Sequence, residues 1–571
     1  MSALDWAVLI AATLGIAGYG WWQTRGPQGF ERYVRGDPQT GWLTIGLSVM
    51  ATQASAITFL STPGQGYADG MRFVQMYFGL PIAMVIIAAV FLPRFRRLKV
   101  LTAYEFLGQR FDGKTRLLGA SLFLVQRGLG AGLTIYAPSI IIASIMGWSL
   151  NLTIVLSSIL VIVYTVSGGN EAVNVTQKFQ MLLIFSGLIV AFLVIAAKMP
   201  AGVSLMDAVR VAGISGRLKA IDYSADPNNR YTLWSGLIGG TFLALAYFGS
   251  DQSQVQRYLS GKSLRQSRLG LVFNGLMKIP MQVFILFLGT LVFAFYQFER
   301  PPLFFNQVAW RQAAQRPGGD ALAALENRFD AAHAAHEKNL RAWLEARHAH
   351  DPPAETAARA AVASSDDALR QIRSEAGATL VAVNPKADKK DADYVFLTFV
   401  MDHLPHGVIG LLVAVIFAGG LSSVAGELTA LGATMTVDFY RGPFRPSESD
   451  AHYVAASKWF TALWGLIALA FAFFCQFADN LIQAVNLIGS IFYGPTLGLF
   501  VVAFFLKRVG GNAVFWGAAL AEALVIAIHF TGKVAFLWYN PIGVGACVLF
   551  SGVFQMFCRA RPGFPEGSAA A

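Results

Sequence analysis

Apolar residues recur along this chain in runs too long and too numerous for the core of a soluble domain. A helix needs about 20 mostly apolar residues to cross the hydrocarbon layer of a bilayer. Runs of that kind lie near residues 4–24, 41–62, 72–93, 116–146, 150–167, 178–198, 233–250, 269–298, 408–438, 454–476, 480–506, 512–531 and 535–557. They predict an all-α polytopic membrane protein with about thirteen transmembrane helices.

Composition agrees. Of 571 residues 55% are hydrophobic and only 13% charged, against the about 25% charged residues of soluble domains. The mean hydropathy is +0.51. A formal charge of +11 would suggest nucleic acid only if the basic residues formed a face on a folded domain. Instead they gather in alternate loops: Arg25, Arg32 and Arg35; Arg94, Arg96, Arg97 and Lys99; Arg257, Lys262, Arg265 and Arg268; Lys507 and Arg508; Arg559 and Arg561. Cytoplasmic loops retain such charge. The expected topology is N-terminus out and C-terminus in, in the plasma membrane (a bacterial inner membrane), with the lipid bilayer and not nucleic acid as partner. Cys475, Cys547 and Cys558 lie in or beside apolar runs without paired spacing, so neither a disulfide framework nor a cysteine metal site is expected.

One stretch breaks the pattern. Residues 305–395 hold 12 basic and 13 acidic side chains in Ala-rich sequence such as DALAALENRFDAAHAAHEKNLRAWLEARHAH. This reads as an extracytoplasmic helical insertion, a lid or a surface for an extracytoplasmic partner. Its histidines His333, His336, His348 and His350 come without the cysteine or carboxylate spacing of a metal site, so a solvated helical hairpin is the favoured reading.

Two spans are interrupted where a transporter needs freed backbone groups at mid-membrane depth. The second reads SVMATQASAITFLSTPGQGYADG, polar in its middle and broken by Pro63, Gly64 and Gly66. The seventh, GGTFLALAYFGSDQSQVQRYLS, is apolar until Gly249 and polar beyond it. They lie five spans apart, and five is odd, as inverted repeats require. The ninth span, AVIFAGGLSSVAGELTALGATMTVDFY, adds adjacent hydroxyls at Ser422 and Ser423 with Gly419 one turn earlier. Hydroxyls and freed carbonyls suit a small hard cation; serines in membrane helices also bond back to their own helix.

These residues resemble the sodium/solute symporter family of sugar, iodide, monocarboxylate, vitamin, proline and sialic acid carriers. The similar stretches are LTAYEFLGQRF (101–111), GLTIYAPSIII (132–142), YTVSGGNEAVNVTQKFQ (164–180), YFGSDQSQVQRYLSGKS (247–263), GGLSSVAGELTALGATMTVDFY (419–440) and IGSIFYGPTLGLF (488–500). The resemblance implies a LeuT-type core of 5+5 inverted repeats. Its expected parts are 1–40, an extra N-terminal helix and loop; 41–198, the first five-helix repeat; 199–304, the start of the second; 305–395, the insertion; 396–506, the rest of the second repeat; and 507–571, C-terminal helices and tail. It implies sodium as the transported coupling ion, held by the carbonyls of Ala51, Ala54 and Gly419 and the hydroxyls of Ser422 and Ser423, with no organic cofactor and no transition metal.

A second sodium position found in some members falls here on Gln177, Ala425 and Gly426, and so is expected to be absent in its usual form. Glu427, at i+4 from Ser423, is a candidate ion or proton site, although a salt bridge with Lys178 is the favoured reading. The resemblance points to Gln53, Ser55, Thr58, Phe73, Tyr77, Asp251 and Gln252 as substrate-binding. Arg127, charged and able to grip a carboxylate with two hydrogen bonds, joins them as a candidate; pairing with an acid or snorkelling to the cytoplasmic face are the competing readings. The expected function is sodium-coupled symport of a small organic solute, a monocarboxylate or other organic anion first. The alternatives are a membrane solute sensor signalling through 305–395, against which the lack of a kinase or receiver domain after the last span weighs, and proton-coupled transport on the same fold. No nucleophile, carboxylate pair or phosphate-binding loop indicates an enzyme.

Overall fold

The computed structural model describes residues 1–23, 29–385, 387, 391–475 and 480–558. Arg25, Arg559 and Arg561, counted above among the loop charges, lie outside the described residues. Each of the thirteen predicted spans coincides with a helical segment. Among the described residues, nine helices are long and apolar enough to cross a membrane, and three shorter apolar ones accompany them.

The chain begins with α1 (Ala3–Gln23) and the broken pair α2 (Trp42–Gln53) and α3 (Ala56–Asp69). The third span runs from Leu80–Ile86 through a π-helical turn, Ile87–Phe91, into Leu92–Arg97. Next come α4 (Gly113–Met146) and α5 (Leu150–Ala197). The fifth and sixth predicted spans join end to end in α5, across a bend at Gly169 (φ 60°, ψ −169°) that a residue with a side chain rarely adopts.

The seventh span is again broken, into α6 (Gly240–Gly249) and α7 (Gln252–Leu259), and α8 (Leu264–Phe295) follows. The insertion folds as two long helices, α9 (Asp320–His348) and α10 (Pro352–Val383), and leads through α11 (Ala392–His403) into α12 (Val408–Thr434). Last are α13 (Asp450–Ala472), α14 (Leu481–Phe505), α15 (Gly511–Thr531) and α16 (Tyr539–Phe557).

The centre of the bundle is α12, which packs on α4, α5 and both halves of the broken second span. Its residues are almost all buried, as expected of a helix apolar all round. The second half of the broken span, α3, lies unusually close to α8 and α11, because Gly64 faces the Ala392 carbonyl and Gly66 the Leu286 carbonyl with no room for a Cβ.

The α9–α10 pair is the helical hairpin expected, exposed over most of its residues, and one apolar stripe anchors it. Leu322, Leu325 and Phe329 pack on Leu369, Ile372 and Leu380, while Leu340 and Trp343 pack on Phe298, Val203 and Val211 of the membrane body. Its histidines act as clamps. His333 Nε2 lies 3.0 Å from the Tyr296 carbonyl, His336 bridges Ser365 and Gln297 at 2.8 Å each, and His348 Nε2 lies 3.0 Å from Asp207. Among the described residues no cluster of His, Cys, Asp or Glu could hold a metal ion. All three cysteines are free.

Candidate functional site

The site starts from the interruption of the second span. Ala54 (φ −87°, ψ 70°) leaves the helical conformation and Ser55 (ψ 175°) is extended before α3 restarts. A break of this kind frees carbonyls that would otherwise be spent within the helix. Two of them face α12: Ser423 Oγ lies 3.2 Å from the Ala51 carbonyl and 3.1 Å from that of Thr52. Gly419 sits against the same junction, where a Cβ would meet the Ala54 carbonyl at 3.4 Å. Ser422 is 2% exposed, and its hydroxyl has no hydrogen-bond partner among the described residues.

Beside the junction is a cavity of about 80 Å³, several times the ~10–15 Å³ that one water needs. Thr52, Gln53, Ser55, Thr58, Tyr77 and Asn486 give it a polar wall, and Ile57, Leu243, Ile482 and Val485 an apolar one. Arg127, Thr134, Tyr247, Glu427 and Tyr493 line it as well.

Three candidate residues with ionisable side chains, Arg127, Asp251 and Glu427, meet here. The Arg127 guanidinium is 3% exposed. Its Nη2 donates to Asp251 Oδ2 and, at 2.9 Å, to the Tyr493 hydroxyl; its Nη1 donates to Glu427 Oε1 at 3.2 Å. The cation also stands over the Tyr247 ring, 5.2 Å from its centroid. Asp251 is fixed in turn as the N-cap of α7, its Oδ1 accepting from Ser253 N at 2.9 Å and Ser253 Oγ at 2.6 Å.

Several expectations need correction. Glu427 pairs with Arg127 and not with Lys178, whose ammonium lies over the Phe179 ring. Gln252 does not face the cavity: the helix restarts at the break, and that turns its amide to Ala103 N and the Leu101 carbonyl, 3.0 Å each. Phe73 packs on Tyr77 and Tyr231, behind the cavity wall. Gln177 is separate from the Glu427 group, its amide being used by Ser48 Oγ at 2.5 Å and Thr52 Oγ1 at 3.0 Å. Gln53, Ser55, Thr58, Tyr77 and Arg127 do line the cavity, and Asp251 reaches it through Arg127. Sequence reading missed Tyr247, Tyr493, Thr134 and Asn486. A lone phenol before the Gly-Pro of IFYGPTLG was the available signal for Tyr493.

Two broken helices converging on a buried ionic cluster and a small cavity define a multi-pass membrane transporter. The sodium:solute symporter family matches residues 33–307 and 374–520, and the chain belongs to that family. The gap in that match falls on most of the α9–α10 hairpin.

Among curated relatives, the human sodium/iodide cotransporter is 26% identical over 541 residues, covering 93% of this chain and 70% of its own. Human sodium-coupled monocarboxylate transporter 1 is 27% identical over 94% of this chain and 73% of its own. The sodium/sialic acid symporter SiaT of Proteus mirabilis is 23% identical over 96% and 93%. A solved structure of a Na+-coupled sialic acid symporter in a substrate-bound, outward-open state matches with a TM-score of 0.75 at 21% identity, covering 99% of both chains. The fold is therefore the LeuT-like one.

Proposed function

We propose that this sodium-coupled solute symporter binds its coupling sodium ion between the α2–α3 junction and α12, and carries a small organic anion in the adjoining cavity. The observation behind the ion site is the buried Ser422 hydroxyl, without a hydrogen-bond partner among the described residues, next to Ser423 and the freed carbonyls. An unmade hydrogen bond in an apolar interior is costly, and a cation ligated by Ala51, Ala54, Gly419, Ser422 and Ser423 removes that cost. Its ligands come from two helices, so ion binding favours the conformation in which they are together, and the ion gradient thereby biases alternating access.

The anion reading rests on Arg127 and on the apolar wall opposite it. A monocarboxylate of a few carbons lays its chain on Ile57, Leu243, Ile482 and Val485. Its head group takes over Nη1 of Arg127 from Glu427, the looser of the two carboxylates at 3.2 Å. The orientation is N-terminus outside, with the α9–α10 hairpin on the same side.

The test is uptake of a labelled metabolite panel into proteoliposomes with and without an inward sodium gradient. The expected result is gradient-dependent uptake of small carboxylates that Ser423→Ala abolishes. Uptake indifferent to sodium, or unchanged in Ser423→Ala, overturns the coupling assignment; uptake confined to uncharged solutes overturns the anion.

A further inference from the structure

We infer that the seam between the α9–α10 hairpin and the membrane body is a binding site for an aromatic carboxylate, separate from the central cavity. The inference goes beyond the transport reading and is independent of the ion and solute proposed there.

The seam holds a cavity of about 240 Å³, far more than the ~10–15 Å³ that one water needs. No residue lines both this cavity and the central one. The body supplies Tyr67 of α3, Arg217 from the connection between α5 and α6, and Phe293 and Tyr296 at the end of α8. The hairpin supplies Phe329, Leu369, Arg370 and Arg373 from the opposite side. These four lie between the two stretches that match the family, so half of the site comes from this chain's own insertion.

The charges in the seam call for an anion. Three guanidiniums, Arg217, Arg370 and Arg373, line it against two carboxylates, Asp366 and Asp391. Both acids are engaged: Arg370 Nη2 donates to Asp366 Oδ2, and Arg373 Nη2 to Asp391 Oδ2 at 3.2 Å. Arg217 is left without an ion pair among the described residues. It is nevertheless held in place. Its carbonyl accepts from Met71 N at 2.8 Å, its Nη1 donates to the Ala68 carbonyl, and its guanidinium lies over the Phe293 ring, 4.6 Å from the centroid. A positioned guanidinium of this kind binds an anion with little further ordering cost.

Two donors show where the head group goes. Arg217 Nε and the Tyr296 hydroxyl are both buried without a partner among the described residues, and Tyr296 is only 1% exposed. A carboxylate accepts from both, through hydrogen bonds strengthened by charge, and removes the cost of leaving them unmade. The remaining wall selects what the carboxylate is attached to. Tyr67, Phe293 and Phe329, with Leu369 and Val395, make it apolar and largely aromatic. Such rings favour edge or offset contact with another ring, whereas an inorganic oxyanion leaves that wall unused.

The experiment is hydrogen exchange of the purified full-length protein in detergent, titrated with benzoate, benzamide or sulfate. Benzoate should protect the α9 and α10 peptides around Phe329 and Leu369, and benzamide, which keeps the ring but lacks the charge, should not. Arg217→Gln and Tyr296→Phe should each weaken the apparent affinity for benzoate about tenfold or more, the loss of one hydrogen bond to a charged group. Exchange in the absence of ligand, compared with wild type, reports whether each variant keeps the hairpin docked. Should Arg217→Gln loosen it, Tyr296→Phe decides the matter alone, since it removes only an unpartnered oxygen. Absence of benzoate protection at the seam in wild type, or wild-type affinity in Tyr296→Phe, overturns the inference. Protection confined to α12 and α14 overturns it as well, by placing benzoate in the central cavity. Sulfate acting at the same concentration as benzoate overturns the aromatic carboxylate as the ligand.

Discussion

The buried cluster makes a quantitative prediction about which of its members the fold tolerates losing. Arg127→Gln leaves Asp251 and Glu427 enclosed with no cation between them, taking the cluster from −1 to −2. Removing one partner of a buried ion pair costs about 3–5 kcal/mol, because the other charge stays buried. Asp251→Asn, by contrast, leaves Arg127 paired one to one with Glu427. The asparagine keeps an oxygen for Ser253, now 2.9 Å from Ser253 N, so the cost reduces to a charge-assisted hydrogen bond of about 1.5–3 kcal/mol. The double variant Arg127→Gln/Asp251→Asn returns the cluster to −1. It is expected to be more stable than Arg127→Gln alone, with a coupling energy of about 0.5–3 kcal/mol as contacting groups show. Unfolding of the detergent-solubilised protein, followed by tryptophan fluorescence, gives all three values in one denaturant series. An Arg127→Gln variant as stable as wild type, or a double variant no better than Arg127→Gln, refutes the charge argument.

Other sites give further expectations. Lys278 of α8 is fully buried, and its ammonium has no partner among the described residues; Lys278→Met should raise the unfolding midpoint, since an apolar side chain of similar length avoids burying a charge, and a lowered midpoint contradicts this. Gly64→Ala should lower both stability and solute uptake, because its Cβ would be driven into the Ala392 carbonyl, whereas Gly113→Ala, with open space around it, serves as the neutral comparison. Burial holds His336 in the hairpin down to about 4, from an ordinary 6.5. The unfolded state therefore binds the extra proton in that window, and hairpin stability should fall as pH drops from about 6.5 to about 4 and level off below. Hydrogen exchange of α9 peptides across that range measures the effect, and His336→Gln should flatten it.

How much of this was legible in the sequence depends on the range of each interaction. The thirteen spans and the two breaks are local properties of hydropathy and of Gly, Pro and polar residues, and the helices follow them. The serine pair stood out because two hydroxyls in an apolar run are a local anomaly. Arg127, Asp251 and Glu427 each stood out for the same reason, yet their meeting did not, since Arg127 lies 124 residues from Asp251 and 300 from Glu427 along the chain. Helical depth alone suggested Lys178 as the partner of Glu427, and depth does not say which way a helix face points. Gln252 failed for a related reason: a residue beside a break begins a new helical phase. The hairpin itself was legible, but its anchoring was not, because alanine-rich, highly charged sequence hides a narrow apolar stripe, Leu322, Leu325, Phe329 and Leu340 among it, that becomes clear only once α10 lies against it.

That hairpin has a practical consequence for imaging. A transporter of 61.7 kDa embedded in a detergent belt offers electron cryomicroscopy little contrast by which to orient individual particles. Here two paired helices, α9 of 29 residues and α10 of 32 residues, are fastened to the body through Tyr296, Gln297 and Asp207. They form a built-in fiducial, which a nanobody raised against their charged outer face would enlarge.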